Sequence, residues 1–136
     1  MTDSLLTEIT MESRLSEIPA MIEKLRSDPE LQSRIDGRES AFLIAMREAL
    51  ANAVTHGNHR EASRRVYVQY ACEPDDALSI VIRDEGDGFD PRNVLAPKDI
   101  GGNHRRGIYR MTSCMDEVHF RKNGTGVYMR MKGRRS

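Results

Sequence analysis

Two pairs of short apolar segments, each pair joined by a tight turn, most constrain the fold of this chain. The segments "RRVYVQYACE" and "ALSIVIRDEG" flank "PDDA", and "DEVHFRK" and "GVYMRMK" flank "NGTG". Short segments rich in Val, Ile, Tyr and Phe predict strands, and the residues between them favour turns. We therefore expect two antiparallel hairpins in one sheet, and such a sheet must bury at least one face against another layer.

Hydrophobic periodicity predicts one further strand and a first helix. Leu6, Ile9 and Met11 fall in a rough alternation, which is typical of a half-buried strand. The next segment, "SEIPAMIEKLRS", changes to helical spacing, and Pro19 falls in the first turn, where a missing N–H leaves no bond unmade. The apolar stripe of this amphipathic helix consists of Ile18, Met21, Ile22 and Leu25.

The longest predicted helix begins near Glu39, after the polar segment "SDPELQSRIDGRES", which we interpret as a connection. It ends at about His56, because Gly57 and Asn58 are typical of a helix stop. Its expected buried stripe consists of Phe42, Met46, Ala49, Leu50 and Ala53. A short helix is predicted from about Arg106 to Met115. The predicted architecture is α+β: a two-layer α/β sandwich whose mainly antiparallel mixed sheet is covered on one face by helices, in a single domain spanning residues 1–136.

Charge balance and cysteine content limit the classes of function. The 21 Lys and Arg residues balance 21 Asp and Glu residues, so the chain lacks the basic face that duplex nucleic acid requires. Cys72 and Cys114 lie far apart without paired spacing, and we find neither an N-terminal signal pattern nor an apolar run near twenty residues. We therefore expect a reduced, cytoplasmic protein that binds neither nucleic acid nor membrane.

Four separated motifs carry the polar residues that a functional site needs. Glu48, Asn52 and His56 recur every four residues and share one face of the long helix. "DEGDG" follows the central strand, "GGNHRRGI" lies in the long loop, and "GTG" lies in the last hairpin. Each motif alone also fits a simpler interpretation: a solvated helix face, a turn or half of a calcium loop, surface charge, and a hairpin turn.

Several common chemistries do not fit these motifs. The chain has no G-x-x-x-x-G-K-[ST] phosphate loop, and Asp84 stands at the strand end where a dinucleotide fold has its first glycine. No Cys or His pair has metal-ligand spacing, and the hydroxyl groups near His56 form no recognisable nucleophile pattern. A complete calcium loop needs a Glu six residues after its glycine, which "DEGDGFDPRNVL" lacks.

Taken together and in order, the motifs resemble those of the GHKL, or Bergerat, ATP-binding superfamily. "EALANAVTHGN" resembles its N box, "DEGDGFDP" its first glycine box, and "RRGIYRMTSCMDEV" its second. The chain is most similar to the anti-sigma factor serine/threonine kinases, which consist of this histidine-kinase-like ATPase domain. The resemblance covers nearly everything from residue 39 onwards, and it implies the Bergerat fold with ATP and Mg²⁺ as ligands.

The resemblance also implies a role for each matching residue. Asn52 would bind Mg²⁺ through its amide oxygen, Glu48 would act as the catalytic base, and His56 would face the phosphates. Asp84 would accept a hydrogen bond from the exocyclic amine of adenine, which guanine cannot donate there. The remaining residues implied near the adenine are Gly86, Gly88 and Thr125.

The second glycine box departs from the family pattern. It retains Gly107 and Ile108, but Arg105 occupies the position where the family usually has its first glycine. Gly102 supplies flexibility slightly earlier in this interpretation, and Arg105 or Arg106 reaches the phosphates at the N-terminus of the short helix. The resemblance implies an ATP lid over about residues 93–106.

Three functions remain open on the sequence. The first is an anti-sigma factor and serine/threonine kinase that binds a sigma factor and phosphorylates a STAS-type anti-anti-sigma antagonist, with a homodimer implied by the resemblance. The second is an ATP-gated regulatory binding protein with little or no kinase activity, an alternative that the Arg at position 105 favours. The third is the ATPase domain of a split histidine kinase, which ranks last because no helical pair with an H box precedes it.

Overall fold

The computed structural model describes residues 6–59, 61–86, 102–120 and 126–133, with the backbone alone described for residues 102–107. The strands are β1 (Leu6–Glu12), β2 (Arg65–Cys72), β3 (Leu78–Arg83), β4 (Glu117–Phe120) and β5 (Gly126–Met131). The helices are α1 (Ile18–Arg26), α2 (Pro29–Ile35), α3 (Glu39–Asn52) and α4 (Gly102–Cys114). A 3₁₀ turn (Leu15–Glu17) precedes α1, and a π-helical turn (Ala53–Gly57) follows α3.

The five strands form one sheet in the order β1-β2-β3-β5-β4, and every described pair is antiparallel. The two predicted hairpin pairs are present, as β2 with β3 and β4 with β5. The last strand lies between β3 and β4, so Ile82 of β3 is paired with Val127 of β5. The predicted α+β fold with a mainly antiparallel sheet is confirmed.

The core lies between the helices and one face of the sheet. Strand residues alternate between buried and partly exposed positions, as expected when one face is covered. The stripe predicted for the long helix is buried throughout, with Phe42, Met46 and Leu50 at 0% exposure. Ile18, Met21, Ile22 and Leu25 of α1 are buried as well. In the described part of the chain, no helix is both long and apolar enough to cross a membrane.

The segment interpreted as a connection contains a helix, and this part of the sequence prediction was wrong. Asp28 caps α2 by accepting a hydrogen bond from the N–H of Glu30 at 2.9 Å, and Pro29 occupies the first helical position. Both residue types are favoured at these positions. Leu31 and Ile35, four residues apart, are fully buried and attach the helix to the core. Two apolar residues in seven are too few for a periodicity signal.

Two other helix boundaries differ from those predicted. The long helix is α-helical only to Asn52. In the π-helical turn that follows, the N–H of Asn58 donates a hydrogen bond to the carbonyl of Ala53, five residues earlier, at 2.8 Å. The short helix, α4, begins at Gly102 instead of about Arg106. A glycine inside a helix costs about 1 kcal/mol relative to alanine. Gly107 is accommodated because Ile108 and Met111 beside it are buried in the core.

Candidate functional site

A pocket lies at the edge of the core where the end of α3 meets the sheet and α4. It is open to solvent on one side, and its accessible volume is about 20 Å³. That is room for about one water molecule. Its lining residues are mostly apolar: Ala49, Asn52, Ala53, Ile82, Asp84, Met111, Phe120, Gly126 and Val127. The structure thus brings Asn52 and Asp84 together in an otherwise apolar pocket.

Asn52 has a buried amide group that is not fully hydrogen-bonded. Its Nδ2 atom is buried and has no hydrogen-bond partner within the described part of the chain. Such a group costs free energy when it is left unpaired, on the order of 1–3 kcal/mol. The oxygen and the nitrogen of an amide side chain are told apart by their hydrogen-bond partners. A rotation of the Asn52 amide by 180° would therefore place its oxygen where its nitrogen now lies. Asn52 is therefore suited to bind a ligand atom or a metal ion from the pocket.

Asp84 follows β3, and its carboxylate lies against the backbone of the π-helical turn. A Cβ atom added to Gly57 would lie 2.2 Å from Oδ2 of Asp84, so only glycine permits this approach. The N–H of Gly86 donates a hydrogen bond to Oδ1 of Asp84 at 2.9 Å. A Cβ atom at Gly86 would lie 1.5 Å from the carbonyl oxygen of Gly57. The two glycines thus bring the loop after β3 against the end of the long helix.

Burial controls the protonation of this carboxylate. Burial raises the pKa of Asp84, whereas the hydrogen bond from Gly86 and the positive charges of Arg64 and His59 lower it, and the net pKa is above the usual aspartate range. A carboxylate in such a place gains from a hydrogen-bond donor. The pocket therefore favours a ligand that offers an N–H group to Asp84.

Asn58 fixes the loop that carries Asp84. It is fully buried, and its Nδ2 donates hydrogen bonds to Oγ of Ser13 and to the carbonyl of Arg65, both at 3.0 Å. Its Oδ1 accepts a hydrogen bond from the N–H of Glu85 at 2.8 Å. One side chain thereby connects the end of β1, the start of β2 and the loop after β3, and it holds Asp84 in place.

The polar row predicted on the long helix is divided by the structure. Asn52 lines the pocket, whereas Glu48, one turn earlier, lines a groove between α1 and α3. Oε2 of Glu48 lies 3.4 Å from Nη1 of Arg110 on α4. His56 is half-buried within the π-helical turn, where each residue turns through a smaller angle than in an α-helix. Of these three residues, Asn52 is the one in the described lining of the pocket.

The second glycine box is described in part. Ile108 is buried in the core as part of α4, and its predicted contact with ATP stays a prediction. The backbone at Gly102, Arg105, Arg106 and Gly107 is helical, and the side chains of the two arginines lie outside the described residues. Gly88, Thr125 and most of the predicted lid, about residues 93–106, also lie outside them.

Three residues that contribute to the site were not predicted as site residues. Gly57 and Asn58 were interpreted as a helix stop, and Arg110 was not singled out. Gly57 and Asn58 act on the loop at Asp84 to Gly86, and Arg110 acts on Glu48, 62 residues away in the chain. Contacts between residues so far apart in the chain leave no pattern in the local sequence. The adjacent Gly57 and Asn58, immediately after a polar helix face, were the one available signal.

Comparison with known proteins gives a family and several relatives. The histidine kinase-like ATPase domain family matches residues 14–131. The serine-protein kinase RsbW of Bacillus subtilis (strain 168) is 31% identical over 100 residues, which cover 65% of this chain and 59% of the relative. The anti-sigma F factor of Oceanobacillus iheyensis is 44% identical over 90 residues, which cover 60% of this chain and 61% of the relative. These matches confirm the resemblance inferred from the motifs.

The matched region is shorter than the relatives themselves. The chain spans about three fifths of the length of the curated relatives it matches. The RsbW of Bacillus velezensis is 32% identical over the same length of 100 residues. The match includes α3, the pocket and all of the sheet except β1, because it runs from residue 14 to residue 131.

Proposed function

Because the chain belongs to the histidine kinase-like ATPase domain family, we propose that it is an ATP-binding anti-sigma factor and serine/threonine kinase. Its substrate in this proposal is a STAS-type anti-anti-sigma protein of a partner-switching system. One observation carries the proposal: Asn52 and Asp84, from separate segments, line one pocket, and Glu48 lies one helical turn before Asn52. Residues 1–136 act as one nucleotide-binding domain, with the lid at about residues 93–106.

Asp84 gives the pocket its preference for adenine. The exocyclic amine of adenine donates a hydrogen bond to the carboxylate, whereas guanine places a carbonyl oxygen at the same position. A hydrogen bond to a charged group contributes about 1.5–3 kcal/mol, and an unpaired buried group costs a comparable amount. Burial of Asp84, with its raised pKa, favours a ligand that supplies this donor. ATP therefore binds in preference to GTP.

Asn52 is the residue that would hold Mg²⁺. The ion prefers hard oxygen ligands, keeps several waters and is commonly shared between one or two protein oxygens and the substrate phosphates. Asn52 lines the pocket, and its amide oxygen would be the ligand; because its buried Nδ2 has no hydrogen-bond partner among the described residues, no such bond opposes a rotation of the amide that presents the oxygen. When bound, the ion supplies neutralisation of charge on the phosphate oxygens. His56, Arg105 and Arg106 remain proposed phosphate contacts, as the family resemblance implies.

Glu48 is the proposed base for transfer to a serine or threonine. Its carboxylate accepts the proton of the acceptor hydroxyl as that oxygen forms a bond to the γ-phosphorus. The bond from the γ-phosphorus to the bridging oxygen breaks in the same step, and ADP leaves with the electron pair. The proton on Glu48 then passes to water. A rise of about 6 Å along α3 separates Glu48 from Asn52, the residue that in this proposal holds the ion at the phosphates.

The partners follow from the names of the relatives, a serine-protein kinase and an anti-sigma F factor. In this proposal the chain binds a sigma factor in one nucleotide state and an anti-anti-sigma protein in the other. It acts as a homodimer, as the family resemblance implies. The pocket does not identify either partner protein, because in this proposal its residues contact the nucleotide.

A phosphotransfer assay tests this function. The unaltered chain, Glu48→Gln and Glu39→Gln are incubated with γ-labelled ATP, Mg²⁺ and a STAS-type protein encoded in the same genome. We expect label on a serine or threonine of the STAS-type protein, lost about 10²–10⁴-fold in Glu48→Gln, since general bases contribute this much. ATP affinity should change little. Glu39→Gln, the same change in the first turn of α3, should transfer at the normal rate.

A second candidate is an ATP-gated binding protein with little or no kinase activity. The position of Glu48 favours it, because Glu48 lines the groove between α1 and α3, whereas the described lining of the pocket includes Asn52 and not Glu48. Under this function ATP binds with the preference over GTP described above, and the affinity for a sigma factor depends on the nucleotide. Tight ATP binding without label on the STAS-type protein would favour this candidate over the kinase.

A further inference from the structure

The contact between Glu48 and Arg110 links two helices that meet at the pocket. Nη1 of Arg110 lies 3.4 Å from Oε2 of Glu48, and the two residues are 62 positions apart in the chain. The side chain of Glu48 is 25% exposed and that of Arg110 is 54% exposed. Glu48 is thus held at the edge of the core by a partner that reaches it from the solvent side.

The packing of α4 places Arg110 at this position. Ile108, Met111 and Met115 of α4 are buried and fix the rotation of the helix against the core. Arg110 precedes Met111 and is exposed, so it lies at the margin of the buried stripe, where α4 contacts α3. Packing of α4 therefore places the backbone of Arg110 within reach of Glu48.

Stability alone does not account for this ion pair. Exposed pairs contribute roughly 0.2–1 kcal/mol, because two long side chains must be ordered and solvent screens their attraction. The groove beside Glu48 also contains Glu23, Arg26 and Arg47, a mixture of both charges. Among the described residues, the cation in contact with the carboxylate is Arg110. Its effect is therefore local to one acidic group, which is the proposed base.

Electrostatics gives this contact a role in the reaction. A carboxylate placed beside a triphosphate is repelled by it, and a nearby cation offsets that repulsion. A guanidinium that engages one carboxylate oxygen also restricts the orientation of the other. In this chain the engaged atom is Oε2, which leaves Oε1 for an acceptor hydroxyl.

We propose that Arg110 is a positioning residue for phosphoryl transfer: it engages Oε2 of Glu48 and holds the carboxylate beside the phosphates with Oε1 directed to the acceptor hydroxyl. This role rests on the proposed kinase function. Arg110 acts through Glu48 and touches neither ATP nor the acceptor. Its loss should therefore lower the rate of transfer without weakening ATP binding.

The test compares Arg110→Met, Arg110→Lys and Arg14→Met with the unaltered chain. Arg14 is a matched control because it forms an exposed pair with Glu12 at 3.0 Å, and neither residue lines the pocket or the groove that contains Glu48. Single-turnover transfer from γ-labelled ATP to the STAS-type protein, the Kd for ATP and the unfolding temperature are measured for each. Arg110→Met should slow transfer about tenfold, equivalent to about 1.4 kcal/mol at the transition state. Its Kd for ATP should stay within twofold.

Rescue separates positioning from a structural role. Arg110→Lys should recover transfer to within about threefold of the normal rate, since it keeps the charge, and Arg14→Met should behave normally. Normal transfer by Arg110→Met would overturn the proposal. A loss of transfer that Arg110→Lys does not rescue would also overturn it. So would a loss that is accompanied by weaker ATP binding and a lower unfolding temperature. If the unaltered chain transfers no phosphate, the kinase function itself fails, and the role of Arg110 fails with it.

Discussion

Asp84 shows at the scale of one residue how the fold prepares a ligand site. Its carboxylate lies against Gly57, accepts one hydrogen bond from Gly86 and is buried enough that its pKa lies above the usual range. Ionisation of Asp84 therefore costs more free energy in the folded chain than in the unfolded chain. An acid held in this way contributes to stability below its unfolded pKa, and that contribution is lost as the pH rises through the folded pKa.

The Asp84→Asn variant tests this cost. The amide has the same size, stays neutral and still accepts the hydrogen bond from Gly86. Without nucleotide, we expect it to match or exceed the parent chain in free energy of unfolding at pH 8, by less than about 1 kcal/mol since the site is partly open. The advantage should shrink as the pH falls towards about 4, the ordinary aspartate pKa. Urea unfolding of both chains from pH 4 to pH 8 measures it, and a clear loss at pH 8 would contradict it.

The chemistry of single residues was more predictable than their contacts. Asn52 and Asp84 were identified because they match the N box and the first glycine box of the GHKL superfamily, and the structure places both in one pocket. Gly57 and Asn58 were interpreted only as a helix stop. Their contacts are to Asp84 and Glu85, which lie on a different element, and no local pattern reports such pairs.

At the scale of elements, α2 depends on a contact across the core. Asp28 accepts hydrogen bonds from the N–H of Glu30 and, at 2.6 Å, from the hydroxyl of Tyr70 on β2. The bond from Tyr70 is the main reason that the pKa of Asp28 is below its usual range. Burial, followed by the contact with Asp28, raises the pKa of Tyr70 to about 12. The start of α2 is therefore fixed by the sheet.

Removal of one hydroxyl should show this dependence. We expect Tyr70→Phe to lower the free energy of unfolding by about 1.5 kcal/mol, a value typical of a hydrogen bond to a charged group. The loss should be constant between about pH 5 and pH 10. It should shrink in acid, as the pH falls through the lowered pKa of Asp28, and in alkali, as the pH rises through the Tyr70 pKa of about 12.

Urea unfolding across this pH range provides the measurement. Tyr109→Phe is the matched control, because Tyr109 is 69% exposed and the same change there should have almost no effect on stability. A loss in Tyr70→Phe that remained unchanged at pH 3 would assign the effect to packing instead of the hydrogen bond to Asp28.

The elements differ in how far the sequence determines them. The long helix and the four hairpin strands carry several apolar residues each at a regular period, so their existence was predictable. Helix α2 has two buried residues, Leu31 and Ile35. The sequence feature that indicates its start is the adjacent pair Asp28 and Pro29. The π-helical turn was not predictable, because its extra residue is stabilised by the contact of Gly57 with Asp84.

At the scale of the whole molecule, the pocket connects most of the fold. Its lining comes from α3, the π-helical turn, α4 and the last three strands of the sheet order. A ligand that binds there contacts elements whose separation is the main event of unfolding. Nucleotide binding should therefore stabilise the entire domain instead of one segment.

Thermal unfolding measures this coupling. ATP with Mg²⁺ at one hundred times its Kd should add about 2.7 kcal/mol to the free energy of unfolding. For a domain of this size the midpoint should rise by about 10 °C. GTP at the same concentration should give a much smaller rise, and Asp84→Asn should reduce the difference between the nucleotides. Equal shifts with ATP and GTP would contradict the adenine preference assigned to Asp84.

The position of β5 has a consequence for synthesis of the chain. This strand lies between β3 and β4, although it follows every other described element in the sequence. Gly126 and Val127, which it contributes to the pocket, therefore leave the ribosome after all the other lining residues. Helices and the β1–β2–β3 part of the sheet are able to form earlier, since domains are built from the N-terminus during translation. The pocket of the nascent protein is therefore incomplete until β5 has been synthesised and has paired with β3.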